Sequence, residues 1–347
     1  MKHLFLSVII MMSVAMISCE KEDHIYNFPP ETPADTTQHP LLYGVADIGM
    51  NYDNQVYFNL STGGTVSKPF RNYDLAFEAA PSGFHIYMNT GKLMFACRTG
   101  SVNMTSADTT GKQWFTDNDH LDADSTAINN SFHSASVAEQ VYVIDRGKPE
   151  YNINWPERLR KLMIAEVTDS SYTIIYSKYN NTSADTFIIS KNTNYSLMYF
   201  TFDNGGQLVQ MAPEKSQWDF VFTRYTHTYF SEPLNSPYRY YLVNGGGLNN
   251  RWHGVTGIML KDSLPRYVPF DDFKLSNVGN YTFLQNADII GFDWKSYDFN
   301  SSTYLIVPNK YFVIRNVDGN YFKIRFTDFY NPQTGDKGYI SFQYQQL

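Results

Sequence analysis

Histidine and methionine side chains can coordinate a metal atom, through an imidazole nitrogen or a thioether sulfur. In the C-terminal half, RWHGVTGIM places His253 and Met259 directly after the flexible stretch NGGGLNN. In the N-terminal half, His120 lies in DNDHLDADS and His133 in NNSFHSAS, thirteen residues apart in polar segments. Each pair could close on one metal atom, and the alternative is that these side chains are solvated at the surface.

The sequence lacks the motifs of common enzymes. It has no Gly-x-Ser-x-Gly elbow, no Walker loop and no His-Glu-x-x-His helix. The acidic clusters DNDH and DADS lack the spaced carboxylates, central Gly and closing Glu of an EF-hand loop. We therefore predict a protein that is not an enzyme, and we assign no catalytic residue and no dedicated metal site.

The N-terminus has the pattern of a processed lipoprotein. Lys2 precedes an apolar run too short to span a bilayer comfortably, and Cys19 of MISC stands where a lipoprotein signal peptide is cut. We predict a signal peptide over residues 1–18, a lipid on Cys19 and a flexible linker over residues 19–40. An ordinary secretory signal with a chance cysteine is the alternative. The EKED stretch after Cys19 resembles the export signal of lipoproteins at the outer membrane that face the cell exterior.

Charge and composition narrow the class of partners. The full chain has 27 Lys and Arg against 34 Asp and Glu, for a net charge of −7. This balance argues against nucleic acid or anionic lipid headgroups, because both attract basic patches. We expect membrane contact through the lipid anchor only. The 27 Tyr and 25 Phe suit strands, where aromatic side chains cover a pleated surface.

Hydrophobic periodicity predicts an all-β fold. Segments of four to nine residues rich in Val, Ile, Phe and Tyr alternate with turn-forming stretches such as STGG, DNGG and NVDGN. The nearest approach to a helical pattern is RLRKLMIAEV, whose β-branched tail also suits a strand. Cys97, the only cysteine after Cys19, is expected to be a small buried side chain.

Paired motifs recur in the same order along the chain. YFNLSTGG at 57–64 matches YFTFDNGG at 199–206, and NYDLAF at 72–77 matches QWDFVF at 217–222. VYVIDRG and YFVIRNVDG then follow at an offset larger by about 25 residues, an insertion that we place from Phe270 to Asn300. We predict two tandem related antiparallel β domains, over residues 41–189 and 190–347, each with its own core.

The strand QWDFVF has an alternation of its own. A regular strand would place Trp218, Phe220 and Phe222 on one face. Asp219 could accept hydrogen bonds from a neighbouring turn or pair with Arg224. We interpret this motif as a folding signature without a ligand role.

From Tyr195 to Leu347 the chain resembles HmuY, the haem-binding surface lipoprotein of Bacteroidetes haem uptake. The matching residues are YFTFDNGG, QWDFVFTRY, NGGG and the ending KYFVIRNVDGNYFKIRFTDFYNPQTGDKGYISFQY. The first half is a more divergent copy of this pattern, which makes the chain a tandem duplication. In the family the axial ligands come from the variable middle of the domain, where the second half offers His227, His253 and Met259.

The resemblance implies a cell-surface lipoprotein that binds haem or a haemoprotein and passes haem to a TonB-dependent outer-membrane receptor. Haem is the implied cofactor, with His253 and Met259 as the first candidate ligands and His120 and His133 as the second. Two alternatives stay open. One is a surface glycan-binding lipoprotein, whose aromatic rings would stack on sugars. The other is a scaffold of the same fold that does not bind haem.

Overall fold

The computed structural model describes residues 39–122, 125–128, 140–147 and 155–347. The predicted signal peptide, Cys19 and nearly all of the predicted linker lie outside these residues, and so does His133. Within the described part of the chain, no helix is long and apolar enough to cross a membrane.

Strands dominate the described residues. They are β1 Leu42–Asp47, β2 Asn54–Phe58, β3 Thr65–Pro69, β4 Leu75–Glu78, β5 Ile86–Met88, β6 Phe95–Arg98, β7 Trp114–Phe115, β8 Tyr142–Asp145, β9 Leu159–Val167, β10 Ser171–Lys178, β11 Asp185–Ser190, β12 Leu197–Thr201, β13 Gln207–Val209, β14 Phe220–Thr228, β15 Tyr240–Asn249, β16 Thr256–Lys261, β17 Lys295–Asp298, β18 Thr303–Ile306, β19 Lys310–Arg315, β20 Tyr321–Tyr330 and β21 Lys337–Gln346. Short 3₁₀ helices span Phe70–Asn72, Thr90–Lys92, Asp203–Gly205, Lys215–Gln217, Arg251–His253, Phe270–Asp272 and Leu275–Asn280. The predicted all-β fold is confirmed, and RLRKLMIAEV contains strand β9.

Four antiparallel sheets pack as layers, and β17 and β18 form a separate two-stranded sheet. The six-stranded sheet β11-β10-β9-β8-β6-β7 packs on the sheet β13-β12-β4-β5, and this interface, which includes Phe77 and Phe200, is the central core. The five-stranded sheet β1-β21-β20-β19-β16 packs on the sheet β15-β14-β2-β3, and this interface, which includes Phe58 and Phe222, is the terminal core. The two four-stranded sheets pack on each other through a third apolar cluster that includes Tyr57 and Tyr199.

The two halves of the chain build the same strand order. In the six-stranded sheet the order β11-β10-β9-β8-β6 is followed by the extra strand β7. The five-stranded sheet has the order β1-β21-β20-β19-β16. Position by position, β1 corresponds in the repeat to β11, β21 to β10, β20 to β9, β19 to β8 and β16 to β6. The four-stranded sheets correspond in the same way, strand by strand. This topology supports the duplication inferred from the motif pairs.

Strand pairs cross the predicted boundary at Ser190. Strand β2 of the first half pairs with β14 of the second, so that Phe58 lies opposite Phe220, and β12 of the second half pairs with β4 of the first. Strand β1 pairs along its whole length with the last strand, β21. The central core therefore uses β4 to β13, and the terminal core uses β1 to β3 with β14 to β21. A division at Ser190 does not separate the two cores.

The aspartates of the two matched motifs occupy equivalent positions. Asp219 accepts hydrogen bonds from the backbone N–H of Leu60 at 2.6 Å and of Val317 at 2.9 Å. Asp74 accepts one at 2.8 Å from the N–H of Phe202, the residue that matches Leu60 in the repeat. The prediction that Asp219 accepts hydrogen bonds from neighbouring turns is confirmed.

Trp218 lies on a different face from the one that alternation predicts. Phe220 and Phe222 point into the terminal core. Trp218 instead packs edge-on against Tyr57, with ring centroids 5.0 Å apart, between the two four-stranded sheets. The prediction is wrong for Trp218 because β14 begins only at Phe220, so the preceding residues do not follow the strand alternation.

The extra residues of the second half lie mainly in the β14–β15 hairpin. The N–H of Asn89 donates to the carbonyl of Asp74, and the N–H of Asn250 donates to that of Asp219. The repeat offset is thus 145 at the aspartates and 161 at the asparagines, which places sixteen inserted residues between them. Strands β14 and β15 have nine and ten residues there, against four and three in β4 and β5. The prediction that the insertion lies from Phe270 to Asn300 is therefore wrong for these sixteen residues, which precede that stretch.

Candidate functional site

Two histidines and two aspartates meet where two connections of the chain approach the end of strand β14. Asp119 and His120 follow β7, His227 lies near the end of β14, and Asp288 lies between β16 and β17. One potential ligand atom from each of Asp119, His120 and Asp288 lies within 4.8 Å of the other two. We call these four residues the histidine–carboxylate cluster.

His227 is held by a carboxylate on one side and aromatic rings on the other. Its Nδ1 donates a hydrogen bond to Oδ2 of Asp119, a side chain that is only 2% exposed. The centroid of its ring lies 4.6 Å from that of Tyr229 and 5.1 Å from that of Phe292. Tyr241 lies 5.5 Å from Phe292 and, like Tyr229, is 41% exposed. The rings form an apolar, partly open border beside the imidazole.

His120 is held in a similar way on the other side of the cluster. Its Nδ1 lies 2.5 Å from Oδ1 of Asp288, and its side chain is 41% exposed. Its backbone carbonyl accepts hydrogen bonds from Nη1 of Arg251 at 2.7 Å and from the N–H of Ala287 at 3.1 Å. Main-chain and side-chain contacts both fix this residue.

The hydrogen bonds at Nδ1 decide which imidazole nitrogen is available. A carboxylate only accepts hydrogen bonds, so Nδ1 of His120 and of His227 is the protonated nitrogen. In the neutral ring, Nε2 then has the free lone pair that a metal uses. Neither Nε2 makes a hydrogen bond to any residue that the structure describes. A carboxylate behind a ligating imidazole is the arrangement that orients histidines in metal centres.

Glycines allow the connection with Asp288 to approach β15 closely. Gly247 of the NGGG stretch and Gly291 exchange two backbone hydrogen bonds, of 2.9 and 3.1 Å. A Cβ on Gly247 would lie 2.6 Å from Ile290, closer than side-chain atoms normally approach. Further along, Gly257 and Leu284 exchange two more backbone hydrogen bonds of 2.9 Å. These bridges fix the segment on which Asp288 stands.

The charges of the cluster act on one another. Burial lowers the pKa of His120, but the hydrogen bond and charge of Asp288 and the charges of Asp119 and Asp122 outweigh burial and raise it. Burial raises the pKa of Asp288, the hydrogen bond from His120 opposes that change, and the charge of Asp119 adds to it. The two carboxylates therefore repel each other, and positive charge between them is favoured.

A buried tyrosine ends close to the cluster. Tyr225 lies two residues before His227 on β14 and is 2% exposed. Its hydroxyl has no hydrogen-bond partner among the described residues, and it lies 4.0 Å from the Cβ position of Gly291. Burial raises the pKa of Tyr225 well above its usual range, and the charges of Asp288 and Asp119 raise it further. The hydroxyl is thus within electrostatic reach of both carboxylates.

A partly open cavity of about 60 Å³ adjoins Tyr225. Leu121, Asn249 and Trp252 also line it. This volume has space for a few water molecules and is far below the roughly 300 Å³ at which pockets for organic ligands begin. A large planar ligand would therefore not fit inside this cavity.

The structure does not place His253 and Met259 in a shared pocket. His253 ends the 3₁₀ helix that begins at Arg251, where burial and the charge of Lys215 lower its pKa. Met259 lies in the middle of edge strand β16 and is 37% exposed, whereas its neighbours on the strand point into an apolar cluster. No hydrogen bond joins the two side chains in the part of the chain that the structure describes, and they lie on different elements. His133, the predicted partner of His120, lies outside the described residues.

The two histidines of this cluster were identifiable from the sequence. His120 is a predicted site residue, and His227 is one of the three possible ligands named for the second half. Asp119 stands in the acidic segment DNDH, which has no EF-hand spacing. The only sequence feature that could have drawn attention to Asp288 is that it is a charged residue in the mostly apolar segment NADIIGF. The pairing of first-half with second-half residues follows from strand exchange, which single-residue patterns do not reveal.

Comparison with known proteins assigns the C-terminal part of the chain. Residues 193–344 match the family model described as HmuY protein. This region includes His227 and Asp288, whereas Asp119 and His120 precede it. No curated protein matches the chain.

Three solved structures are similar to the chain at low sequence identity. Apo PinO from Porphyromonas gingivitis is 11% identical, with 89% of this chain and 97% of that chain covered and a TM-score of 0.28. The apo HmuY analog of Tannerella forsythia is 12% identical, with 90% and 99% covered and a TM-score of 0.28. A protein of Bacteroides vulgatus provisionally described as HmuY-like and haem-binding is 16% identical, with 48% and 80% covered and a TM-score of 0.18. The match to the HmuY family thus covers residues 193–344 of the chain.

Proposed function

We propose that this protein binds haem at the histidine–carboxylate cluster, with Nε2 of His227 and Nε2 of His120 as the axial ligands. The observation behind this proposal is that each imidazole donates Nδ1–H to its own carboxylate, which leaves Nε2 as the acceptor. The HmuY family match supports haem as the ligand, and the Bacteroides vulgatus relative is described as haem-binding.

The surroundings of His227 suit the faces of a porphyrin. Tyr229, Tyr241 and Phe292 present aromatic surface next to its ring, and the two tyrosines are 41% exposed. A porphyrin binds through apolar contact with its faces together with iron coordination. When bound, haem would supply an iron atom for transport. The protein would orient the imidazoles and cover part of the macrocycle.

The predicted pair His253 and Met259 is the competing site within the same proposal. Both residues belong to the HmuY region, and both types of side chain ligate haem iron. Against this pair, Met259 stands on an edge strand and His253 has no carboxylate partner at hydrogen-bond distance in the described residues. The cluster therefore takes precedence.

Titration with haem tests the proposal. Adding haem to the purified mature protein should shift and sharpen the Soret band, with saturation at one equivalent. His227→Ala and His120→Ala should each weaken binding by roughly tenfold, about 1.4 kcal/mol, because one axial bond is lost. His253→Ala is the matched control, since it removes another part-buried histidine of the same region, and it should change nothing. An unchanged spectrum with wild-type protein would reject haem binding and favour the glycan-binding or scaffold alternative.

We also propose the wider role that the resemblance implies. A lipid on Cys19 would anchor the protein at the outer membrane, facing the cell exterior, where it takes haem from the medium or from a haemoprotein and passes it to a TonB-dependent receptor. Changing Cys19 to Ala should release the protein from the membrane fraction. Retention of Cys19→Ala protein with membranes would refute the anchor.

A further inference from the structure

We propose that Asp119, His120 and Asp288 form a binding site for a divalent transition-metal cation such as Zn²⁺, with the Tyr225 hydroxyl donating to a water or anion on the metal. Imidazole nitrogen and carboxylate oxygen are both ligands that zinc binds in proteins. The inference goes beyond haem binding and does not rest on it.

The geometry of the three side chains supports a single metal. Ligand atoms at about 2.0–2.2 Å from one zinc ion are separated by at most about 4.4 Å. The ligand atoms of Asp119, His120 and Asp288 lie within 4.8 Å of one another, so small side-chain movements would suffice. The cation would take the place of the proton between Nδ1 of His120 and Oδ1 of Asp288, and binding would release that proton to solvent.

Two further features point to a ligand between these groups. The Tyr225 hydroxyl is buried and without a partner in the described residues, which is costly unless a water or ion completes its hydrogen bonding. His227 donates to Asp119, so one ligand already has the outer hydrogen bond typical of metal centres. The side chain of Asp119 is 2% exposed and that of Asp288 is 16% exposed, which keeps both carboxylates partly desolvated and attractive to a cation.

Calorimetric titration of the haem-free mature protein with Zn²⁺, repeated with Co²⁺ and followed by visible absorption, tests this site. We expect one ion per protein. Asp119→Asn and Asp288→Asn should weaken binding by more than the roughly 10- to 100-fold that loss of an outer partner costs, and Tyr225→Phe should fall within that range. Asp293→Asn is the matched control, because it removes one negative charge from the same connection at a side chain that is 65% exposed and paired with Lys310.

Several results would overturn the proposal. One is the absence of stoichiometric Zn²⁺ binding by the wild-type protein. Another is that the Asp288→Asn and Asp293→Asn variants bind Zn²⁺ with equal affinity. If Asp119→Asn fails to fold, the more exposed Asp288 decides. The Zn²⁺ titration is done without haem, so the two proposals are tested separately. If the wild-type protein does not bind Zn²⁺ but shows the Soret shift in the haem titration, only the cation site is rejected. The reverse result would reject haem alone.

Discussion

Asp74 and Asp219 occupy equivalent positions in the two halves of the repeat, but their electrostatic environments differ. Both accept a backbone hydrogen bond from the partner half, from Phe202 at 2.8 Å and from Leu60 at 2.6 Å. Asp74 also binds Nε and Nη2 of Arg146, at 3.0 and 2.9 Å, and Nζ of Lys92. Apart from Leu60, Asp219 has the N–H of Val317 as its partner at 2.9 Å.

The pKa values of the two carboxyls separate accordingly. Burial alone would raise the pKa of Asp74, but the charges and hydrogen bonds of Lys92 and Arg146 lower it to about 2. Burial raises the pKa of Asp219 to about 6, because the backbone N–H groups of Val317 and Leu60 only partly compensate for the lost solvent. Duplication has preserved the backbone contact between the halves, whereas the surrounding charges have diverged.

The same comparison locates the candidate site. Strand order is common to both halves, but β14–β15 is longer by sixteen residues than its counterpart β4–β5. His227 lies in this longer hairpin, and Asp119, His120 and Asp288 lie in the long connections that precede β8 and β19. The shared strands thus provide the scaffold, and the segments that differ between the halves provide the residues proposed as ligands.

Removing the first half should have the largest effect. A chain that begins at Ser190 lacks β1 to β3, which supply Ala46, Val56 and Phe58 to the terminal core. We expect this fragment to lose cooperative unfolding, contrary to the expectation of an independent domain. Circular dichroism during a urea titration measures this. A sharp transition in the fragment would show that residues 190–347 form a domain without strand exchange.

Asp74→Asn should be the most destabilising of the point changes. It leaves Lys92 buried without its anionic partner and Arg146 with Asp203 as its remaining one, and breaking a buried ion pair costs about 3–5 kcal/mol. Denaturant unfolding at pH 7 measures the loss. Since the folded pKa of Asp74 lies below the usual value, its contribution is present above pH 4 and is lost as pH falls toward 2. An effect below about 1 kcal/mol at pH 7 would contradict the role of this network.

Asp219→Asn should be milder and have the opposite pH dependence. The amide can accept at only one of the two positions used by Leu60 and Val317, which costs about 1–3 kcal/mol. The folded pKa of Asp219, about 6, lies above the usual value, so protonation stabilises the fold. The wild type should gain stability relative to Asp219→Asn as pH falls from 7 to 5. A stability difference that is flat over this range would show that Asp219 does not titrate near 6.

The positions of the strands could be predicted from the sequence, but which strands pair with one another could not. Alternation and turn residues identified an all-β chain, and three motif pairs indicated the duplication. The exchange of β2 and β12 between halves was not predictable, because each strand buries similar aromatic residues with either neighbour. For the same reason the sequence suggested His120 and named His227 separately, while Asp119 and Asp288, which join them, became apparent only from the fold.

The central claim is that ligands from the two halves meet in one haem site. The most direct measurement compares the Soret titrations of two matched double variants, His120→Ala with His227→Ala and His253→Ala with Met259→Ala, at equal haem and protein concentrations. The first should lose the shifted Soret band, because both proposed axial nitrogens are gone, while the second should titrate like the wild type. Loss of the band in the second variant and its retention in the first would contradict the account.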